Sequence, residues 1–151
     1  PVHRKLRDLQ EQMDDFLQDM QDRIIRDTEQ EFGQDATKRW QNPTHFGRMD
    51  LADARARLTG SCGDSIEICL KIKNNHVQEA SFFSDGCGPS VVCGDMACEL
   101  AEGKDLENAA SITGELILKK LGGLPEENEH CAFLAAGTLQ EAIGNYVRGN
   151  R

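Results

Sequence analysis

Residues 65–83, SIEICLKIKNNHVQEASFF, contain the clearest secondary-structure signal in the chain. In Ser65–Lys73, isoleucine or leucine occupies every second position from 66 to 72, and Glu, Cys and Lys stand between them. This two-residue period predicts a strand with one buried face and one wetter face, on which Cys69 lies. Asn74 and Asn75 tolerate positive φ, and a second extended segment covers 76–83. The stretch therefore predicts a β-hairpin.

Helical signals follow the hairpin. Gly86-Cys87-Gly88-Pro89 is a tight turn whose proline suits the first position of a helix, which we predict over 90–102 with Gly103 as its end. Further helices are predicted over 113–121 and 129–147, separated by the run GGLP at 122–125. The expected fold class is α+β, a small antiparallel sheet packed with helices.

The amino-terminal segment Val2–Phe32 has no proline or glycine, and its apolar residues recur at steps of three and four. The stripe consists of Leu6, Leu9, Met13, Phe16, Met20 and Ile24. This spacing predicts an extra amphipathic helix that packs on its own domain or on a second subunit, so a homodimer through this helix is one expectation. Breakers at 33–47 indicate a linker. We divide the chain into a helical extension with linker, 1–41, and a domain, 42–151.

Composition excludes several partners. Seventeen basic and 26 acidic side chains give a net charge of −9, which argues against nucleic acid and anionic membranes as partners.

The amino-terminal residues form no continuous apolar stretch of the kind that a signal peptide or membrane span needs. We therefore expect a cytoplasmic protein, in which the six cysteines serve as ligands, nucleophiles or packing residues rather than as disulfides.

Three cysteines lie at the ends of predicted elements, where functional groups usually gather. Cys62 precedes the first predicted strand, Cys87 lies between the hairpin and the next helix, and Cys131 follows His130 at the start of the last helix. Helix amino termini favour the thiolate form of Cys87 and Cys131. We expect Cys69, Cys93 and Cys98 to be packing residues and His45 and His76 to be surface histidines.

The ligand count indicates a labile site. Stable electron-transfer clusters are held by four thiolates in closely spaced groups, whereas these three thiols are widely separated and need Asp64 or His130 to complete the set. A carboxylate is a harder ligand than a thiolate and suits cluster iron less well. The spacing therefore favours a metal or cluster that is bound and released over a permanent electron carrier.

An ordered set of motifs resembles the IscU/NifU amino-domain family of iron-sulfur cluster scaffolds. The resemblance covers about residues 42–146. Its motifs are NPTHFG at 42–47, CGDSIEI at 62–68, FFSDGCGPS at 82–90, EGK at 102–104 and LPEENEHCAFLAA at 124–136.

The resemblance implies a non-enzymatic scaffold. In it, Cys62, Cys87 and Cys131 would ligate a [2Fe-2S] cluster with Asp64 or His130 as the fourth ligand, and the apo form would hold zinc. A cysteine desulfurase would deliver persulfide sulfur to Cys131, and recipient iron-sulfur apoproteins would take the cluster. The family associates Asp64 with cluster release.

Two departures and two alternatives accompany the resemblance. The extra amino-terminal helix is one departure. The other is the run LPEEN at 124–128, where members served by the dedicated transfer chaperone carry Leu-Pro-Pro-Val-Lys. This difference argues against transfer assisted by that chaperone.

One alternative function is a zinc-dependent persulfide carrier of the SufU type, although the insertion typical of zinc-type members ahead of the last cysteine is absent. The other is a structural zinc site in an adaptor, which predicts that chelation unfolds the domain.

Overall fold

The computed structural model describes residues 2–149 and has the expected α+β architecture. A three-stranded antiparallel sheet in the order β1-β2-β3 is packed with helices. In chain order the elements are α1 (Val2–Phe32), α2 (Gln34–Gln41), β1 (Ala54–Thr59), β2 (Ser65–Lys73), β3 (His76–Ser84), α3 (Gly88–Ala101), α4 (Leu106–Ala110), α5 (Gly114–Leu121), a 3-10 turn (Glu126–Asn128) and α6 (His130–Gly149).

The predicted hairpin is confirmed as β2 and β3. Asn74 and Asn75 take positive φ values of 53° and 63° in the turn between the strands. The side chains of Ile66, Ile68 and Leu70 are fully buried, as the alternation predicts. Cys69 lies on the opposite face with Glu67 and pairs with the exposed Arg55, as predicted, but it is itself buried, which agrees with its predicted role as a packing residue.

Strand β1 was not predicted. Its pattern is Ala-Arg-Ala-Arg-Leu-Thr, in which Ala54 and Ala56 face inward and the arginines between and after them face solvent. Alanine has a low strand propensity, so this alternation is a weak signal, and pairing with β2 and packing against α6 determine the conformation. Cys62 consequently lies in the turn between β1 and β2 rather than ahead of the first strand.

The linker predicted over 33–47 is wrong over most of its length, because α2 occupies Gln34–Gln41 and packs on α3. Ala36 and Thr37 are buried. Arg39 donates to the buried carboxylate of Asp95 at 2.9 Å, which anchors α2 on α3. Gly33 separates α1 from α2. Its φ of 87° is a backbone conformation that residues with a side chain rarely adopt.

His45 is not the surface histidine that we expected. Its backbone N–H donates to Asp95 Oδ1 at 2.9 Å, and its ring nitrogens lie 3.3 Å from carboxylate oxygens of Asp95 and Glu102. These contacts fasten the loop after α2 to α3. His76 is exposed, as predicted.

The remaining helices agree with the sequence to within a few residues. Cys87 is the N-cap of α3, and the Thr113 hydroxyl caps α5 by accepting from the N–H of Leu116. The short helix α4, capped by Asp105, was not predicted. Helices α3 and α6 cover the sheet and bury most of the core. Over residues 2–149, no helix combines the length and apolarity needed to cross a membrane.

Candidate metal centre

The turn between β1 and β2 holds Cys62 and Asp64. The N–H of Gly60 donates to the carbonyl of Asp64 at 2.8 Å, and the N–H of Gly63 donates to the carbonyl of Gly60 at 3.0 Å. Gly63 has φ 91°, which a side chain at this position would strain. The closed turn leaves the Cys62 thiol exposed and directs the half-buried Asp64 towards α3.

Gly86 lets this carboxylate lie against the turn that leads into α3. A Cβ atom on Gly86 would stand 2.6 Å from Asp64 Cγ, so any larger residue would displace the carboxylate. In the observed arrangement, the Cys87 thiol donates to Asp64 Oδ2 over an Sγ–Oδ2 distance of 3.1 Å.

The start of α6 supplies the other two predicted residues. His130 is exposed, and its Nε2 lies 3.2 Å from Cys62 Sγ and 3.6 Å from Cys131 Sγ. Cys131 is fully buried, and its Sγ belongs to a group with Asp64 and Cys87 whose ligand atoms all lie within 4.8 Å of one another. The structure therefore brings all five predicted site residues to one place.

Ser90, which the sequence reasoning missed, lies at the centre of this group. It is completely buried, and its hydroxyl donates to Asp64 Oδ2 at 3.0 Å. The hydroxyl oxygen of Ser90 is also 3.5 Å from Cys131 Sγ and 3.7 Å from Cys87 Sγ. A serine three positions after a cysteine on a helix shares its face, and this spacing could have identified Ser90.

The surroundings of the carboxylate and of the buried thiol shift their pKa values in opposite directions. The hydrogen bond from the Cys87 thiol is the main cause that lowers the pKa of Asp64, and Ser90 adds to it, so the carboxylate is ionised at neutral pH. Burial raises the pKa of Cys131 to about 11, although the hydrogen bond from Ser90 opposes the rise. The prediction of a thiolate at Cys131 is therefore wrong for the free protein, because burial outweighs the helix terminus.

The other cysteines are outside the site. Burial raises the pKa of both Cys93 and Cys98, and both are packed in the core along α3. They are inert packing thiols, as the sequence predicted.

The donor set determines what the site can bind. Thiolate sulfur and imidazole nitrogen are good ligands for zinc and for iron in clusters, and a carboxylate is a weaker partner for cluster iron. Two of the three thiols and the imidazole are exposed, so a bound metal would be open to exchange. A small α+β domain that gathers these groups at one partly exposed place has the donor set of a metal-binding or cluster-binding protein.

Comparison with known protein families assigns the chain to one of them. The sequence model of the NifU-like N-terminal domain matches residues 31–151, and the chain belongs to this family. Residues 2–30, which make up most of α1, lie outside the match.

Several relatives agree with this assignment. Two iron-sulfur cluster assembly scaffold proteins of Archaeoglobus fulgidus, IscU 1 and IscU 2, are each 38% identical over 112 residues, which cover 74% of this chain and 73% of each relative. The iron sulfur cluster assembly protein 1 of Trachipleistophora hominis is 32% identical over 115 residues, covering 74% and 83%. The crystal structure of the N-terminal part of a nitrogen-fixing NifU-like protein from Brucella abortus shares the fold, with a TM-score of 0.62 at 15% identity, covering 82% of this chain and 98% of that one.

Proposed function

We propose that this chain is a scaffold on which a [2Fe-2S] cluster is assembled from iron and desulfurase-derived sulfur and then passed to recipient apoproteins. The observation that carries the proposal is the meeting of Cys62, Asp64, Cys87, His130 and Cys131 at one partly exposed place. The relatives named as cluster assembly scaffolds support the same role. In this role the protein is a carrier rather than an enzyme.

The donors are distributed in a way that suits two iron atoms. Cys62 with His130 forms one close pair at 3.2 Å, and Asp64 with Cys87 forms another at 3.1 Å. Cys131 lies between the pairs, 3.6 Å from the imidazole. A [2Fe-2S] cluster needs four protein ligands, so three thiols leave one place for which Asp64 and His130 compete. A ligand that can be replaced by its neighbour favours release of the cluster.

Cys131 is the proposed acceptor of sulfur. Its thiol must lose a proton to become a nucleophile, and His130 Nε2, 3.6 Å away, is placed to take it. The thiolate would then attack the terminal sulfur of the desulfurase persulfide, forming a persulfide on Cys131 and releasing the desulfurase thiolate. An external electron donor must supply two electrons to reduce each transferred sulfur to sulfide.

The direct test is cluster assembly under anaerobic conditions. We expect the protein, supplied with iron, cysteine, a cysteine desulfurase and a dithiol reductant as electron donor, to gain near-equal iron and sulfide together with visible absorption. Changing Cys62, Cys87 or Cys131 to Ser should abolish the gain. Cys98→Ala is a matched control, because its thiol lies three helical turns from Cys87 on the same helix, about 16 Å away. Unchanged assembly in the three Ser variants would contradict the site.

The role of Asp64 in release is tested separately. Asp64→Ala leaves His130, whose imidazole suits cluster iron better than a carboxylate, as the one candidate for the fourth place, so we expect the assembled cluster to persist longer during transfer to an apo-ferredoxin. The decay of visible absorption measures its lifetime. Loss of the cluster at the parent rate would show that Asp64 does not control release.

A zinc-dependent persulfide carrier is the second candidate. The observation in its favour is that Asp64, Cys87 and Cys131 place three ligand atoms within 4.8 Å of one another, which suits one tetrahedral ion. The same assembly experiment separates the two: zinc that is retained, with no cluster formed, supports the carrier. Unfolding on chelation would instead indicate the structural zinc site.

We also propose cytoplasmic cluster transfer that does not use the dedicated chaperone. The run that corresponds to its docking motif forms the 3-10 turn Glu126–Asn128, which presents the exposed acids Glu126 and Glu127 just before His130. Acidic groups at this place would repel a partner that recognises an apolar and basic segment. Basic groups on a recipient or on the desulfurase would be attracted to it.

A further inference from the structure

Helix α1 exposes an apolar stripe that no other part of residues 2–149 covers. None of its 31 residues is buried. The apolar side chains are between 44% and 71% exposed, and they are Val2, Leu6, Leu9, Met13, Phe16, Leu17, Met20 and Ile24. A continuous apolar surface of this kind marks an interaction site, since monomeric proteins rarely leave one in water.

The domain itself reaches only the last turns of α1. Thr28 and Phe32 line a cavity with residues of α2 and the start of α3, and Ile25 is half-buried, while the apolar residues before them are exposed. The helix has no proline or glycine between Val2 and Phe32 that would let it bend back over the domain. In the arrangement of residues 2–149 the stripe thus has no cover, and a partner from outside the chain can supply one.

We propose that α1 pairs with α1 of a second copy in an antiparallel two-stranded coiled coil. Residues 2, 6, 9, 13, 16 and 20 follow the alternating three- and four-residue steps of a coiled-coil seam. When the two helices cross at residue 11, every layer of this seam is apolar. The facing pairs are Val2 with Met20, Leu6 with Phe16, and Leu9 with Met13.

Charge determines the direction of the pairing. Residues 4–7 contain three bases, and residues 8–22 contain six acids and no base. A parallel pair would place the acidic stretch of one helix beside the same stretch of the other. The antiparallel pair places 4–7 beside 15–18 of the second copy, and it brings Lys5 next to Asp19 at the flank of the seam. Asp19 is free to make this contact, because its present ion pair with Arg23 is exposed and weak.

The arrangement also predicts where the domains lie. Each domain follows residue 32, and at 1.5 Å per residue the two ends of the paired helices are about 60 Å apart. Both candidate metal centres would then stay open to desulfurase and recipient proteins. A parallel pair would hold the two domains side by side.

Sedimentation velocity of the full chain over a range of concentrations tests the pairing. We expect a monomer–dimer equilibrium that Met13→Glu weakens by more than about 100-fold, because the charge enters two apolar layers of the symmetric dimer. Gln18→Glu adds the same charge on the outer face of the helix and should leave the equilibrium unchanged. A monomer at every concentration, or an equal effect of both variants, would overturn the proposal.

A charge exchange tests the direction. Lys5→Glu should weaken the dimer about tenfold, because two attractions become two repulsions, and adding Asp19→Lys should restore it. Within one helix or a parallel pair these positions are about 21 Å apart, beyond the range of screened charges, so no rescue is expected there. Failure of the double variant to recover would overturn the antiparallel arrangement. Small-angle scattering should show two domains about 60 Å apart in the dimer.

Discussion

Helices α1 and α3 differ in where they place their apolar residues: α1 exposes them to solvent, and α3 buries them in the core. Helix α1 is strongly amphipathic and has no buried residue, whereas nine of the 14 residues of α3 are buried, including its charged Asp95. Helix α3 packs against the sheet and α6, and it carries Cys87 and Ser90 at its start. The enclosed helix therefore holds two residues of the candidate metal centre in place, and the exposed helix leaves a surface open to a partner.

The largest expected difference between the two regions comes from their phenylalanines. Phe82 on β3 is fully buried, with its ring against Gly94 of α3, and Phe16 on α1 is 60% exposed. Phe82→Ala should lower the free energy of unfolding by about 3–5 kcal/mol, because it leaves a cavity in the core. Phe16→Ala should change it by less than about 0.5 kcal/mol. Urea titration at a concentration where the chain is monomeric measures both, and equal losses would contradict the comparison.

Asp95 on α3 and Asp19 on α1 should show the same contrast, in which the buried residue contributes more to the free energy of unfolding than the exposed one. Asp95 accepts hydrogen bonds from Arg39 and from the N–H of His45, and it is 1% exposed. Asp95→Ala leaves Arg39 Nη1 and the N–H of His45 without this acceptor, while Arg39 Nη2 keeps its bond to Glu99, so we expect a loss of about 2–4 kcal/mol in the free energy of unfolding. Asp19→Ala on α1 removes only an exposed ion pair with Arg23 and should cost less than about 0.5 kcal/mol. Urea titration again decides, and a small loss for Asp95→Ala would show that water replaces its contacts.

Burial should also lower the reactivity of one thiol of the candidate metal centre, that of Cys131. Because the pKa of Cys131 is raised from 9.0 to about 11, its thiolate fraction at pH 7.5 should be about 100-fold lower in the folded protein than in urea. Alkylation by iodoacetamide, followed by mass spectrometry, should therefore modify Cys131 far more slowly in the metal-free folded chain than in urea. Equal rates in both states would contradict the effect of burial.

The same shift has a consequence for stability. Between pH 9 and about pH 11 the unfolded chain loses the Cys131 proton and the folded chain keeps it, so stability should fall through this interval. Cys131→Ser should remove this part of the pH dependence.

The smallest expected effect concerns Ser90. Ser90→Ala removes a hydroxyl that donates to Asp64, so we expect a loss of about 1 kcal/mol in the free energy of unfolding. Because this hydroxyl also lowers the pKa of Cys131, its removal should slow alkylation of that thiol further. Ser61→Ala in the exposed turn is the control and should change neither quantity. An alkylation rate equal to that of the parent would show that Ser90 does not act on Cys131.

The elements that could be predicted from the sequence have strong local signals. The hairpin has a clear two-residue period with two asparagines in its turn, and α1, α3, α5 and α6 have caps or breakers at their ends. Strand β1, α2 and α4 lack a clear apolar period, although Gly33 precedes α2 and Asp105 caps α4. They are short or built on small residues, and contacts with β2, α3 and α6 determine their conformation.

The sequence by itself determined the helical face of α1, the hairpin, and the five residues of the candidate metal centre, because periodicity, turn residues and residue chemistry are local properties. Only the tertiary structure decided how buried each group is. It placed Ser90 among the thiols, enclosed His45 beside Asp95, and raised the pKa of Cys131. These properties depend on the desolvation and hydrogen bonding that arise when distant segments pack together, and the spacing along one chain does not contain them.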